Sequence, residues 1–253
     1  MIRGILTVAW KDFRVLVTNP MFLMVAGLCA MIWSYNYLPQ IFQFERISGR
    51  AFQSGGINIH QTLFASHIAR ANIILIFAIP ALTMRLLAEE RKLRTYDLLL
   101  TVPITACQIA VGKFLAAFGA GMVLLGISAI YPMGTALFVD FNMGPLISSY
   151  IGMALVTGVY VGVGLFASSV TESVVLSVVL ALILNLALWF LGQAAEISDH
   201  SLLAKVFEHI SIPQQFVVFI KGSLKLSAVV FFTTTIALFV FLTERVVESS
   251  RWR

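Results

Sequence analysis

The chain has 253 residues, of which 59% are hydrophobic and only 11% charged, and it carries a net charge of +5; soluble domains average about 25% charged residues. A soluble fold of this length would still need a polar surface, and several apolar stretches lack even one polar face, so the composition belongs in a bilayer. The basic excess forms no patch of the kind that reads grooves or stacks bases, which excludes a nucleic-acid partner.

Residues 1–18 open the chain. Ile2, Ile5, Leu6, Ala9, Phe13 and Leu16 or Val17 recur at helical spacing, and Arg3, Lys11, Asp12 and Arg14 take the remaining arc. This pattern predicts an elbow helix lying in the membrane interface, its apolar side in the acyl boundary and its basic side toward anionic headgroups. Asn19-Pro20 breaks it and opens the first span.

About 20 predominantly apolar residues cross the hydrocarbon core. Segments 20–38, 66–87, 109–139, 146–168, 173–192 and 226–243 meet that length. None shows the short alternation of barrel strands. The expected fold is therefore an all-α integral membrane protein, one domain of six transmembrane helices. Residues 39–65 read as a polar outer loop with room for a surface helix in part of it, and His60 and His67 as interfacial polar residues, since a metal site needs closer spacing and more ligands. The second span carries Arg70 and Asn72, with Arg70 expected to snorkel to the outer interface. Pro80 should kink this span just before a charged stretch.

The third segment is longer than one crossing requires, so it tilts or projects. In the fourth, Ala154, Gly158 and Gly162 recur every four residues, a small-residue stripe that admits a close helix neighbour. Residues 193–224 mix charge with apolar pieces too short to cross and read as an outer re-entrant or interfacial segment. With the N-terminus inside, Arg3, Lys11, Arg14, Arg85, Arg91, Lys92, Arg94, Lys113, Arg245, Arg251 and Arg253 fall on the cytoplasmic side. Only Arg46, Arg50, Arg70, Lys205, Lys221 and Lys225 fall outside. Both termini are therefore expected in the cytoplasm.

Familiar chemistry is missing. Gly112-Lys113 is followed by Phe114, which breaks the pattern of a phosphate-binding loop. Zinc-type clustering of His and Cys, an HExxH motif and a mid-membrane pair of carboxylates are all absent from the sequence. The chain is expected to be non-catalytic, with no catalytic, cofactor-binding or metal-binding residues, and to draw its energy from another molecule. The element dense enough to receive it is 88–103, where Glu89, Glu90, Arg91, Lys92, Arg94 and Asp97 stand against Leu93, Leu98, Leu99 and Leu100. Early acids and later bases suit a helix starting near Ala88, Thr95 could cap a second one, and a solvated loop is the alternative.

The run Ile79-Pro80-Ala81-Leu82-Thr83-Met84-Arg85, then Glu89-Glu90-Arg91-Lys92, Thr95, Asp97-Leu98-Leu99-Leu100-Thr101, Pro103-Ile104 and Gly112-Lys113-Phe114-Leu115, resembles permease subunits of ABC-2 type transporters. Gly164-Leu165-Phe166-Ala167-Ser168-Ser169 with Thr171, Leu242-Thr243, Val247-Glu248-Ser249 and Arg251-Trp252 extend the likeness over nearly the whole chain. Within that family the chain most resembles the gliding-motility-associated permeases, a branch near the copper-oxidase-maturation permeases. The resemblance implies a bacterial inner-membrane subunit paired with a second copy or a paralogue and seated on two ABC ATPase subunits. ATP and Mg2+ would then reside on the ATPases, and this chain would bind no cofactor. Glu89, Glu90, Arg91, Lys92, Thr95, Asp97 and Leu98 are the implied ATPase-coupling residues. Arg94 departs from the glycine usual in relatives. Beside transport stands a second class of function, a force-transmitting membrane subunit that signals to a periplasmic or auxiliary-domain partner without moving a solute.

Overall fold

A computed structural model describes residues 2–51, 58–93, 105–139, 141–197 and 210–250. Among these residues the chain is all helix and turn, with no strand. Hydrocarbon offers backbone groups no hydrogen-bond partner, so a spanning segment must satisfy them within itself, which a helix does. The elements are α1 (Ile2–Thr18), α2 (Pro20–Ala51), a π-helical turn (His60–Phe64) leading into α3 (Ala65–Thr83), and α4 (Arg85–Lys92). They continue as α5 (Ala106–Thr135), α6 (Met143–Val170), α7 (Val174–Ile197), α8 (Ile212–Ile220) and α9 (Leu226–Ser249). Six segments, 20–48, 60–92, 106–135, 143–170, 174–191 and 226–249, are long and apolar enough to cross a membrane.

Helix α6 is the axle of the bundle, packed on α3, α5, α7, α8 and α9. Its glycines make that possible by removing side-chain bulk on several faces. A Cβ at Gly152 would lie 2.5 Å from Phe219 of α8, one at Gly158 2.7 Å from Ile236 of α9, and one at Gly162 3.3 Å from Phe239 of α9. Ala154, half-buried, continues the Gly158 and Gly162 face. In return Thr157 of α6 fills the space left by Gly121 of α5, where a Cβ would meet its methyl at 2.7 Å.

Several boundaries differ from the sequence expectation. Helix α2 does not stop at residue 38 but continues through Pro39 to Ala51. A proline removes one backbone bond, and here Asn36 and Gln40, which flank it, turn their side-chain amides back onto the carbonyls of Ile32 (2.8 Å) and Asn36 (2.7 Å) in the preceding turns. The residues that follow favour a helix as readily as a loop. At 32 residues, α2 is about 48 Å long, well beyond the roughly 30 Å hydrocarbon core. His60 and His67 are buried inside the bundle rather than interfacial. His60 Nε2–H donates to the Ile220 carbonyl at 2.7 Å, and His67 Nε2 lies 3.2 Å from both the carbonyl and the hydroxyl of Ser128. Tyr37 of α2 and Tyr131 of α5 pack on the His67 ring at 5.0 and 5.6 Å between centroids. Arg70 is exposed on the side of α3 and Asn72 fully buried.

Of the segment 193–224, residues 198–209 lie outside the described residues, and α8 occupies its second half. This short helix begins with Pro213 in its first turn and ends in a Schellman motif. The Gly222 and Ser223 amides donate to the carbonyls of Phe219 (2.9 Å) and Val218 (3.2 Å). Gly222 has φ +81°, and a Cβ there would meet Pro145 of α6 at 2.9 Å. Ser149 of α6 donates to Phe219 O at 3.3 Å, so α8 is held on α6 by both packing and hydrogen bonds.

Because Gly152 carries the α6–α8 contact, Gly152→Val should lower stability by about 1–3 kcal/mol through overpacking. Thermal unfolding in detergent checks this, with Gly126→Val, a position that has open space around it, expected to behave as wild type.

Candidate functional site

The charged stretch singled out above grows directly from the second span. Pro80 lies inside α3 without ending it, and the interruption comes at Met84, one turn later. Thr83 turns its hydroxyl back onto the carbonyls of Ile79 (3.1 Å) and Pro80 (3.3 Å). Ser168 of α6 then enters the break. Its hydroxyl accepts from the amides of Leu87 (3.1 Å) and Ala88 (3.0 Å) and donates to Met84 O (3.0 Å). One donor and two lone pairs are the whole capacity of a serine hydroxyl, and all are used. Gly164, one turn before Ser168, lies directly against the Thr83 hydroxyl, and only a residue without a Cβ allows that approach. A side chain inserted into the backbone ladder is a recognised cause of a helix break. Here it ties the start of α4 to α6.

The arm is α4, which begins at Arg85 rather than near Ala88 because it is the continuation of the span. Leu86, Leu87 and Ala88 are buried. Glu89, 43% exposed, faces Arg85 across one turn at 3.9 Å, an exposed pair that contributes little stability. Lys92 is exposed as well. Arg91 turns inward and donates to the Ser250 hydroxyl at the end of α9 (2.9 Å). Glu90 also turns inward, onto Lys113. Four of the seven residues carried over from the resemblance are thus described: Glu89 and Lys92 on the open side, Glu90 and Arg91 against the bundle. Thr95, Asp97 and Leu98, together with Arg94, lie outside the described residues.

Lys113 is the centre of the site. It stands in α5, 1% exposed, and its ammonium reaches Glu90 Oε1 at 2.7 Å, Leu86 O at 2.8 Å and Asp12 Oδ2 at 3.2 Å. Three N–H donors meet three acceptors, two on the arm and one on α1. Its position depends on glycine next door: a Cβ at Gly112 would lie 2.9 Å from Val8 and 3.2 Å from Ile5 O, so α1 rests almost backbone to backbone on α5. Gly119 accommodates Phe13 in the same way, at 3.0 Å. Thr105 and Gln108 close a reciprocal capping box at the start of α5, fixing where that helix begins.

The burial of Asp12 corrects the sequence reading of α1. Asp12 is 9% exposed and shares the inward face with Ile5, Val8, Ala9, Phe13 and Leu16, instead of pointing to headgroups with the basic arc. The outward face carries Leu6, Trp10 and Val15, all strongly exposed, with Arg14 stacked over the Trp10 ring at 5.1 Å. Lys113 and Ser168 are the residues that hold this site together and that the sequence reading did not select. The available signal for the first was a lone cation inside an apolar helix, which by default marks a functional position. For the second it was a glycine and a serine one turn apart on a buried helix.

Between α1 and α4 the triad borders a crevice of about 230 Å3, lined by Asp12, Asn19, Arg85, Glu89, Glu90 and Lys113 on its polar side and Leu16, Leu86 and Leu93 on its apolar side. Among the described residues no three His, Cys, Asp or Glu side chains converge as metal ligands. What the arrangement can do is mechanical, since α4 is fastened at once to α1 through Lys113 and to α5, α6 and α9.

Residues 6–251 match the family model described as ABC-2 family transporter protein. The chain belongs to that family. It is a multi-pass membrane protein, the membrane subunit of an ABC transporter, a kind of subunit that is typically non-catalytic and works with an ABC ATPase. No curated protein matches it.

Ser168→Ala should strand two arm amides and the Met84 carbonyl, destabilising the protein by about 1–3 kcal/mol. The expected signature is a lowered melting temperature in detergent together with faster hydrogen exchange confined to the amides around Leu87 and Ala88.

Proposed function

We propose that this chain is the permease subunit through which a separate ABC ATPase drives the export or movement of a substrate across the bacterial inner membrane. Residues 88–103, comprising the end of α4 and the chain beyond it, act as the coupling helix region, with Glu89, Glu90, Arg91, Lys92, Thr95, Asp97 and Leu98 as coupling residues. Two ATPase copies hold ATP and Mg2+, and a second permease copy or a paralogue completes the transmembrane path. α1 and both termini lie on the cytoplasmic side, following the Lys and Arg distribution. The motif residues of 79–115 and 164–171 support placing the chain in the gliding-motility-associated and copper-oxidase-maturation branch.

The observation that carries this reading is the fastening of α4. Glu90 binds Lys113, Arg91 binds Ser250, and the Leu87 and Ala88 amides bind Ser168. A push delivered to the arm by ATPase closure is therefore passed to several spans, and interfaces packed this densely respond by moving as units. Glu89 and Lys92 stay on the open side, where a docking groove could reach them. The reading of a force-transmitting subunit draws on α2, whose length carries it beyond the bilayer at the opposite end, where an outer partner would meet it. Substrate-stimulated ATPase activity in liposomes separates the two, since the second reading requires control by the outer partner alone.

Charge reversal at Glu89 or Asp97 should weaken ATPase association at least ten-fold while insertion and melting temperature remain those of wild type. Normal affinity in both variants would remove the coupling assignment. Glu90→Lys should behave differently, lowering stability itself, because it sets a second ammonium against buried Lys113.

A further inference from the structure

The role of α1 is not settled by calling it an interfacial anchor. Its apolar outer face suits lipid, but its inner face carries a carboxylate at 9% exposure, and a purely anchoring helix has no use for one there. Burying a charge is costly unless it is paired, and an apolar residue at position 12 would pack against α5 at least as well. Asp12 and Glu90 are far apart in sequence and belong to two elements, α1 and α4, that the Lys113 side chain links. They share one ammonium, which also takes the Leu86 carbonyl of the arm.

We propose that Lys113 is a positioning residue that binds α1 and the arm α4 into one joint, so that α1 moves with the arm as a second lever rather than floating in the interface. The two contacts made by α1 differ in kind. Gly112 and Gly119 give it non-directional packing on α5, along which it could slide, whereas the Asp12–Lys113–Glu90 relay fixes its register relative to α4. A buried ionic group that sets register is the best-attested use of such a costly arrangement. Leu86 O adds a third, backbone anchor, so the ammonium reads the position of the arm helix itself and not only that of a flexible side chain. The joint is argued from the geometry alone, and only its use, passing ATPase motion to α1, rests on the permease reading above.

The test uses the full chain in nanodiscs without any ATPase, with Cys107→Ser and spin labels at Lys11 on α1 and Leu93 at the end of α4, both exposed positions. In an otherwise unmodified chain the interlabel distance distribution should be narrow. Glu90→Leu, which removes one of the three acceptors and leaves Asp12 and Leu86 O on the ammonium, should lower the melting temperature and broaden the distribution at least two-fold, while Glu90→Gln, which keeps an oxygen for the ammonium, should broaden it less. The charge-free Asp12→Asn/Glu90→Gln/Lys113→Met variant should stay folded and give the broad distribution. A narrow, wild-type distribution in Glu90→Leu would overturn the proposal, because packing on Gly112 and Gly119 would then be holding α1 alone. Loss of ATPase binding in the Glu89 and Asp97 variants, or its persistence, bears on the permease reading and leaves this result unaffected.

Discussion

One ammonium group organises the α1 end of this molecule. Lys113 is almost without exposure, and its three donors are taken by a carboxylate from α1, a carboxylate from α4 and a backbone carbonyl of α4. Such a group is tolerable only when every donor is matched, so the positions of three helices are conditions for its being there at all. Remove any one acceptor and the remaining charges lose their compensation in a low-dielectric setting. The glycines of α5 then follow as requirements, because α1 must come close enough for Asp12 to reach.

The same logic recurs at Ser168, with neutral groups. There a helix ladder is broken at Met84, and the amides it releases would be expensive if left bare. The hydroxyl of a neighbouring helix takes both and returns a proton to the Met84 carbonyl. Thus the start of the arm is fastened to α6 where its own ladder is interrupted. Proline does not end the helix, since α3 continues through Pro80 until Thr83. Directed polar contacts, few in number, set the geometry of the site, while the glycines of α6 set how closely the remaining helices pack around it.

Much of the fold was legible because hydrocarbon makes a simple demand. The six crossing segments, the helix at 2–18 and the short helix within 193–224 could be read from apolar length and punctuation. Boundaries were poorer where a helix outran the bilayer, as α2 does past Pro39, since apolar content then no longer reports where a helix ends. The histidines were misplaced for a related reason. His60 and His67 look like interface residues until Ile220 and Ser128, distant in the chain, are seen to supply their partners. Within the site, charge density pointed to 88–103, and Glu89, Glu90, Arg91 and Lys92 lie on α4. It could not separate the two that face outward from the two that hold the arm in place.

By itself, then, the sequence determined that this is an all-helical membrane chain, which segments are apolar and long enough to cross, and that its densest charge follows the second of them. These properties follow from composition and local periodicity, to which solvent and bilayer respond without regard to neighbours. Only the tertiary structure decided that Asp12 faces inward, that Lys113 joins it to Glu90, and that Ser168 takes the amides released at Met84. Each of those is a hydrogen bond or ion pair between residues far apart in sequence. The pattern around one partner holds no record of the other, and a charge on a helix becomes a fastening only when a second helix brings its complement within about 3 Å.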